Sequence, residues 1–245
     1  MIIDLHSHLL PGVDDGAQTV EDSLALARQA VQEGVTHTVL TPHHRNGRYN
    51  NYAKHVLDCV EKLQSIYEEH DIPLRIYGGQ EIHLTEHFFD DLYNGHLLSL
   101  DGQGRYYLVE FPSRRIPDFA EGYFWEMLEQ GITPVIAHPE RNGIIMADYS
   151  VMERFVQMGC LGQLTAVSMS GAIGQKYQRI GADLLKRGLV HLMASDAHSV
   201  KWRPMNVQKG FSWIEKEFGA EVVRGLKDNA RAIFNSDPVK GWKSR

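Results

Sequence analysis

Cysteine is nearly absent from this chain of 245 residues, which contains only Cys59 and Cys160. Two cysteines so far apart form neither a disulfide framework nor a C-x-x-C zinc site. Neither can be the nucleophile of a C-x5-R phosphatase, because Ser65 and Ala166 stand where that motif has arginine. The sequence therefore indicates a reducing compartment and excludes this class of thiol-based phosphatase.

Long apolar runs are also missing. No segment approaches the roughly 18 apolar residues of a transmembrane helix, and Asp4, His6 and His8 interrupt an N-terminus that has no basic n-region. A net charge of -6 argues against non-specific nucleic-acid binding. Gly102 and Gly104 precede a predicted strand, as a turn does, and there is no G-x-x-x-x-G-K-S/T motif. We expect a cytoplasmic protein with no membrane insertion and no nucleic-acid partner.

Strand-like and helix-like segments alternate along the chain. Predicted strands lie at residues 2–5, 37–40, 74–77, 106–109, 134–136, 161–164 and 190–194. Predicted helices lie at residues 20–33, 52–69, 119–129, 151–158, 172–186 and 206–218. Because such alternation implies parallel strands with right-handed crossovers, we predict one α/β domain over residues 1–245, a seven-stranded (β/α)7 TIM-like barrel. A doubly wound open sheet is the alternative, and residues 237–245 are predicted to be a flexible tail.

Side chains able to bind a metal follow six of the seven predicted strands. In the opening "IIDLHSH", His6 and His8 are two positions apart on a strand, so their side chains point to the same side. The strand at 161–164 offers only Gln163 and Thr165. Because the C-terminal ends of barrel strands share one rim, where active sites lie, we expect these side chains to converge. The candidate metal ligands are His6, His8, Asp15, His43, Glu81, Glu110, His138, Asp196 and His198.

This ligand set combines imidazoles with carboxylates and contains no thiolate. Such a set suits Mn, Fe or Zn better than soft metals or calcium alone. At three or four protein ligands per ion, nine groups can hold three divalent ions if a carboxylate such as Glu81 bridges two of them. His44 and His83 flank candidate ligands, whereas His191 and other isolated histidines are interpreted as ordinary residues.

Arg141 and Arg203 directly follow ligand segments. Arginine forks match phosphate in a bidentate way, so phosphoester hydrolysis is the predicted reaction. A metal-bridging hydroxide would attack phosphorus while the metals and both arginines stabilise the developing charge. Arg45 is a third candidate for binding phosphate, and the loop at residues 45–51 is the candidate for a lid. The general acid is left open among Asp14, Asp15 and His43.

Five motifs occur in order over nearly the whole chain: "DLHSHLLPGVDDG", "TPHH", "GGQEI", "AHPERN" and "ASDAH". They resemble the polymerase-and-histidinol-phosphatase (PHP) superfamily, and within it the bacterial manganese-dependent protein-tyrosine phosphatases of capsule and exopolysaccharide gene clusters. The resemblance implies a distorted seven-stranded barrel with a trinuclear metal centre, with manganese the foremost metal. It also implies phosphotyrosine as the substrate, notably in the tyrosine-rich tail of a partner kinase that regulates polysaccharide export.

The same resemblance assigns roles to individual residues. The ligands of the first ion would be His6, His8, Glu81 and Asp196, those of the second Glu81, Glu110 and His138, and those of the third Asp15, His43 and His198. Arg141 and Arg203 match the arginines that bind the substrate phosphate. The candidate catalytic residues are therefore Arg141, Arg203, Asp15 and His43, and none of these positions departs from the family pattern.

Three other functions stay open. The chain could be a histidinol-phosphate phosphatase or another small-molecule phosphoesterase of the same superfamily. It could be a C–N hydrolase of the amidohydrolase type, which is expected to use eight strands and a bridging lysine, and no strand end offers that lysine. It could also be a non-enzymatic scaffold that docks to a kinase and binds metal without turnover.

Overall fold

Parallel strands alternate with helices along residues 1–239, the part of the chain that this computed structural model describes. The strands are β1 Ile2–Ser7, β2 Val35–Leu40, β3 His43–His44, β4 Arg75–Gly78, β5 Glu81–His83, β6 Tyr106–Glu110, β7 Thr133–Ala137, β8 Leu161–Thr165 and β9 Leu192–Ala194. The helices are α1 Val20–Gln32, α2 Ala53–Glu69, α3 Phe88–Tyr93, α4 Ala120–Glu129, α5 Gly143–Ala147, α6 Ser150–Met158, α7 Ala166–Met169, α8 Gln175–Lys186, α9 Val207–Phe218 and α10 Ala220–Phe234. Residues 240–245, most of the predicted tail, lie outside the described residues.

The nine strands occupy seven positions in the barrel, because two strands are interrupted. Thr41 and Pro42 separate β2 from β3, and Gly79 and Gln80 separate β4 from β5. The sheets β1-β2-β4 and β3-β5-β6-β7-β8-β9 are parallel throughout. Proline has no N–H to donate to a ladder, and a Cβ at Gly79 would lie 2.5 Å from the Val39 side chain. The two breaks therefore follow from the local sequence, and the predicted seven strand positions are confirmed.

The barrel closes where β9 meets β1. At the rim, the backbone N–H of Asp196 donates to the carbonyl of His6 at 2.8 Å. One step earlier along β1, the Asp4 carboxylate accepts hydrogen bonds from N and Oγ of Ser195 at 2.8 and 2.6 Å, and burial raises the pKa of Asp4 to about 6. Backbone hydrogen bonds, among them one from the N–H of His8 to the carbonyl of Ala197 at 2.9 Å, and the Asp4 side chain thus close this seam together. An open sheet does not describe this barrel.

Two clusters of buried hydrophobic residues fill the fold. The smaller cluster contains alternate residues of the strands, such as Ile3, Leu5 and Leu108. Residues that face the interior of a barrel alternate in this way. The smaller cluster also contains Ala230 and Ile233 of α10, which packs on β1 and β9. Helix α10, which the predicted elements do not include, therefore covers the N-terminal end of the barrel. The larger cluster lies between the strands and the surrounding helices.

The six predicted helices are all present, each within a few residues of its predicted bounds. Helix α1 begins at a capping box, in which Thr19 Oγ1 accepts from the N–H of Asp22 and the Asp22 carboxylate accepts from the N–H of Thr19, both at 3.1 Å. Among residues 1–239, no helix combines the length and apolar character needed to cross a membrane.

His191, just before β9, gives the fold a pH dependence. Its imidazole is buried, and Nδ1 accepts a hydrogen bond from the N–H of Gly162 at 3.1 Å. Burial lowers its pKa from 6.5 to about 4, so the unfolded chain binds a proton at a higher pH than the folded chain does. The stability contributed by the neutral ring is therefore complete above pH 6.5 and is lost as the pH falls towards 4.

We predict that proton binding by His191 in the unfolded chain lowers the free energy of unfolding by about 2 kcal/mol when the pH falls from 7.5 to 5. Urea unfolding with a chelator present at both pH values measures the change without a contribution from metal release. His191→Asn should flatten the pH dependence by that amount, whereas His70→Asn, which removes an exposed histidine, should not. An unaltered pH dependence in His191→Asn would contradict the prediction.

Candidate metal centre

All nine predicted ligands lie in one cluster at the C-terminal rim of the barrel. Their positions are on or just after β1 (His6, His8), on the following loop (Asp15), on β3 (His43), β5 (Glu81) and β6 (Glu110), and after β7 (His138) and β9 (Asp196, His198). Three overlapping groups have ligand atoms within 4.8 Å of one another: His6–His8–Glu81–Asp196, His8–Asp15–His43–His198 and His43–Glu81–Glu110. His138 joins them through its Nε2, 2.7 Å from Glu81 Oε1.

The rings of His6 and His8 face each other, with their Nε2 atoms 3.1 Å apart. His6 Nδ1 donates to Gln163 Oε1 at 2.8 Å, and the orientation of that amide is set by a hydrogen bond from its Nε2 to the carbonyl of Leu164. His8 Nδ1 donates to Asp14 Oδ2 at 2.7 Å. With both Nδ1 atoms acting as donors, both Nε2 atoms point into the cluster. Although burial opposes it, the charges of Glu81 and Asp14 raise the pKa of His6 and of His8, respectively, and a metal ion bound there would replace the protons that these rings otherwise hold.

Two buried carboxylates complete this group. His6 Nε2 lies 3.3 Å from both Glu81 Oε2 and Asp196 Oδ1. His8 Nε2 lies 3.3 Å from the same Glu81 atom and 3.4 Å from the same Asp196 atom. Two imidazole nitrogens and two carboxylate oxygens thus surround one point, which is the ligand type and number that a first-row divalent metal takes.

Both carboxyl groups are ionised despite their burial. Burial raises the pKa of Glu81, but the positive charge of His6 outweighs it and holds that pKa well below the ordinary value. Burial likewise opposes ionisation of Asp196, and the nearby Arg203 and Arg141 hold its pKa well below the ordinary value. The cluster therefore holds fixed negative charge in a region without bulk water, where a cation is strongly attracted.

Asp15 lies on the side of the cluster that is open to solvent. Its side chain is 46% exposed, and Oδ1 lies 3.3 Å from His43 Nε2 and 3.5 Å from His198 Nε2. His198 Nδ1 donates to the carbonyl of Asp196 at 3.0 Å. Burial, with the charge of His8, lowers the pKa of His198 to about 4, so its Nε2 is an available lone pair at neutral pH.

Glu81 connects the groups. Its Oε2 lies 3.0 Å from His43 Nδ1, its Oε1 lies 2.7 Å from His138 Nε2, and Glu110 lies 3.8 Å from each of these histidines. Although burial lowers it, the charge of Glu81 and the hydrogen bond with Asp15 raise the pKa of His43 to about 10. A metal ion at this position would replace a proton, because coordinating histidine must be neutral.

Four buried atoms of the cluster have no hydrogen-bond partner: His43 Nδ1, Glu81 Oε2, Asp196 Oδ1 and His198 Nε2. Leaving a buried polar atom unsatisfied costs about 1–3 kcal/mol, so such atoms are rare. The rest of residues 1–239 contains only two others, on His44 and Glu140. The residues present therefore fit divalent cations, which would satisfy all four atoms at once.

Arg141 and Arg203 meet beside this cluster. Arg141 Nη1 and Arg203 Nη2 donate to the same oxygen of Asp196, Oδ2, at 2.6 and 2.5 Å, while Oδ1 faces the histidines of β1. Asp196 has a left-handed backbone, with φ of 54°, which is uncommon outside glycine and is often found at functional sites. Two guanidinium groups are thus held next to the positions where cations fit.

Arg45 lies apart from these two arginines. Its Nε and Nη2 donate to the Asp91 carboxylate at 2.6 and 2.8 Å, and His44 Nε2 lies 3.3 Å from the same carboxylate. Its guanidinium is engaged in a bidentate ion pair with a carboxylate outside the candidate ligand set, and phosphate binding by Arg45 stays a prediction. Its position instead anchors the loop after β3 to α3.

Two positioning residues escape the motif-based prediction. In the sequence, the strand at 161–164 offers only Gln163 and Thr165, and Asp14 is one of three candidates for the general acid. Gln163 and Asp14 instead orient His6 and His8, and Asp14 also accepts hydrogen bonds from the N–H groups of Gly16 and His43 at 2.9 and 3.1 Å. The available signal for Gln163 is a polar side chain in the middle of an otherwise apolar strand.

A barrel whose rim holds clustered imidazoles and carboxylates beside two arginines defines a metal-dependent barrel enzyme. Residues 2–235 match the family described as capsular polysaccharide synthesis, CpsB/CapC. The chain belongs to that family, and the family predicted from its motifs is confirmed.

Individual proteins similar to this chain match it over nearly its whole length. Tyrosine-protein phosphatase YwqE of Bacillus subtilis (strain 168) is 38% identical, covering 97% of this chain and 93% of its own length. Tyrosine-protein phosphatase CpsB of Streptococcus pneumoniae is 32% identical, covering 95% and 98%. A crystal structure from the work on YwqE and CpsB, described as unique metal-dependent tyrosine phosphatases, superposes with a TM-score of 0.95 at 38% identity over 98% of this chain and 96% of that chain. A mutant organophosphorus hydrolase from Deinococcus radiodurans, 14% identical, shares the barrel fold with a TM-score of 0.57 over 95% of this chain and 92% of that chain.

We predict that Asp14→Ala lowers the affinity for the metal ions about 10- to 100-fold, because His8 loses the acceptor that orients its ring. Asp14→Asn should lose less, since an amide oxygen can still accept the Nδ1 hydrogen. Metal content after equilibrium dialysis at graded free Mn measures the affinity. The matched control is Asp58→Ala, which removes an exposed carboxylate paired with Lys54. An Asp14→Ala affinity equal to that of the control would rule out the positioning role.

Proposed function

We propose that this chain removes phosphate from phosphotyrosine in proteins at the rim cluster, using three divalent metal ions, with manganese best suited to the ligands. The chain is a metal-dependent tyrosine-protein phosphatase of capsular polysaccharide synthesis, of the CpsB/YwqE type. One observation carries the assignment of the site. At Asp196, a group of buried unsatisfied ligand atoms adjoins two arginines that suit phosphate.

The proposed ligands form three sets, the first two of which share Glu81. They are His6, His8, Glu81 and Asp196 for the first ion, Glu81, Glu110 and His138 for the second, and Asp15, His43 and His198 for the third. The two oxygens of Glu81 face different histidines, Oε2 towards His6 and Oε1 towards His138, which supports a bridging role. Divalent ions bound there lower the pKa of a bound water towards about 7 and neutralise phosphate oxygens.

Arg141 and Arg203 bind the substrate phosphate in this proposal. Their side chains are 23% and 29% exposed, so each keeps N–H groups accessible beyond the contact with Asp196. As negative charge develops on the phosphoryl oxygens, two guanidinium groups already held in place stabilise it without reorganisation.

Asp15 and His43 are the other proposed catalytic residues. Asp15 lies on the solvent-open side with its Oδ1 3.3 Å from His43 Nε2, and in this proposal the two residues hold the third ion beside the entering phosphate. The leaving phenolate has a pKa near 10, lower than that of an alcohol, so its departure does not depend on a strong general acid.

The proposed physiological substrate is the tyrosine-rich tail of a bacterial tyrosine kinase that regulates capsule or exopolysaccharide synthesis. The family description supports a role in capsular polysaccharide synthesis. The relatives are named tyrosine-protein phosphatases, which supports phosphotyrosine as the substrate. The proposed compartment is the cytoplasm, in keeping with the free thiols of Cys59 and Cys160. The alternative substrate is a small phosphate ester such as histidinol phosphate.

We predict that Arg141→Ala lowers kcat/KM for p-nitrophenyl phosphate about 100-fold or more, because one of the two charges facing the phosphate is lost. Metal content should stay normal, since Asp196 keeps its contact with Arg203. Arg141→Lys should recover only part of the activity, because lysine lacks the fork. The control is Arg75→Ala, which removes an exposed arginine paired with Glu68. Undiminished turnover in Arg141→Ala would remove this residue from the mechanism.

We also predict that the protein binds three equivalents of Mn and loses phosphotyrosine-peptide hydrolysis on chelation, with recovery when Mn returns. Plasma emission spectrometry measures the metal, and released phosphate measures activity on that peptide and on histidinol phosphate. A higher kcat/KM for histidinol phosphate would favour the small-molecule alternative. Metal binding with no turnover on either substrate would favour the scaffold.

A further inference from the structure

The loop after β6, residues 112–116, places two adjacent arginines beside the phosphate site. We propose that Arg114 and Arg115 form an anion-binding surface for a negatively charged group next to the phosphotyrosine in the substrate peptide, either a carboxylate or a second phosphate. This inference rests on the proposed function and adds a peptide preference to it. We call residues 112–116 the arginine loop.

The arginine loop is fixed to the segment that follows Arg141. Asn142 Nδ2 donates to the carbonyl of Pro112 at 2.9 Å, and the N–H of Gly143 donates to the carbonyl of Ser113 at 2.7 Å. Asn142 is also the cap of α5, so it is held on both sides. The position of the arginine loop relative to the phosphate-binding Arg141 is therefore set by hydrogen bonds to its two next neighbours.

A small cavity joins the candidate metal centre to the arginine loop. Its lining includes Glu110, Phe111, Ser113, His138, Arg141 and Asn142. Two ligands of the proposed second ion, the proposed phosphate-binding Arg141 and Ser113, which directly precedes the two arginines of the loop, thus line one recess. A peptide whose phosphotyrosine enters the centre would pass its neighbouring residues along this side.

The two arginines of the loop have no anionic partner within residues 1–239. Arg114 and Arg115 are exposed and form no ion pair there. Arginines elsewhere on the surface commonly do: Arg75 pairs with Glu68, Arg154 with Glu121, Arg187 with Glu153 and Arg231 with Asp228. Two adjacent guanidinium groups near the proposed phosphate site are thus free to pair with an anion of a bound peptide.

A further cation stands on the loop after β3, on the other side of β5. Arg48 is exposed and without an ion pair in the described chain, and its guanidinium lies 4.9 Å from the centre of the Tyr49 ring. Tyr49 stacks on His43, with ring centres 6.3 Å apart. The N–H groups of Arg48 and Tyr49 both donate to Asn46 Oδ1, which holds this turn in place. The rim therefore carries unpaired positive charge on two loops next to the cluster, although the whole chain is acidic.

Exposed ion pairs contribute about 0.2–1 kcal/mol each, and arginine can bind either a carboxylate or a phosphate in a bidentate way. Together the two arginines should favour an anionic neighbour by about three- to tenfold. Because these contacts lie away from the reacting phosphorus and are equal in the ground and transition states, the gain should appear in KM and not in kcat. Salt should reduce it, since the charges are exposed.

The test compares the double variant Arg114→Gln/Arg115→Gln with the control Arg28→Gln/Arg179→Gln, which removes equal charge from exposed arginines on α1 and α8. The substrates are p-nitrophenyl phosphate and three phosphotyrosine peptides that differ only beside the phosphotyrosine, with two alanines, two glutamates or a second phosphotyrosine. Initial rates of phosphate release at 50 mM and 500 mM NaCl provide kcat and KM for each.

We expect the loop variant to raise KM about three- to tenfold on the two anionic peptides at low salt, with little change on p-nitrophenyl phosphate, the alanine peptide or kcat. An effect on both anionic peptides identifies negative charge as the feature recognised, and an effect confined to the second phosphotyrosine identifies phosphate. An equal loss on all substrates, no loss on the anionic peptides, or the same loss in the control would overturn the inference. Failure of the proposed function is a separate result, because it would abolish hydrolysis by the unmodified protein.

Discussion

The carboxylate of Asp196 joins the barrel, the candidate metal centre and the arginines. The backbone N–H of Asp196 donates a hydrogen bond to β1 at the seam. In its side chain, Oδ1 faces His6 and His8, and Oδ2 accepts hydrogen bonds from Arg141 and Arg203. Its left-handed backbone, with φ of 54°, is stable only because these contacts over-determine its position. The distance between the proposed cation positions and the two arginines is therefore set by a single side chain.

The gathering of the nine candidate ligands was predictable from local sequence and one topological rule. Apolar strands that end in His, Asp or Glu bring those residues to one rim if the strands are parallel and form a barrel. No long-range contact had to be known, which is why the strands, six of the helices and the converging residues could be predicted, although α10 was missed. The breaks before His43 and Glu81 do not alter this prediction. They change which segments pair, but the order of the strands around the barrel stays the same.

The residues that orient the ligands could not be predicted in this way. The roles of Gln163 and Asp14 depend on which ring nitrogen of a distant histidine they reach, and the pairing of Arg45 depends on Asp91, on a helix absent from the predicted elements. The sequence also does not show that His43 and His138, on different strand ends, both approach Glu81. Such assignments need side-chain directions, which period and spacing do not contain.

The seam between the first and last strands has a consequence for biosynthesis. His6 and His8 leave the ribosome first, while Asp196 and His198 follow after almost the entire chain has been made. Helix α10, which packs on β1 and β9, is later still. Because domains are synthesised from the N-terminus at a finite rate, a nascent chain carries an incomplete, inactive centre until translation has nearly ended. A product terminated before Asp196 therefore lacks two of the nine candidate ligands and the carboxylate that holds Arg141 and Arg203.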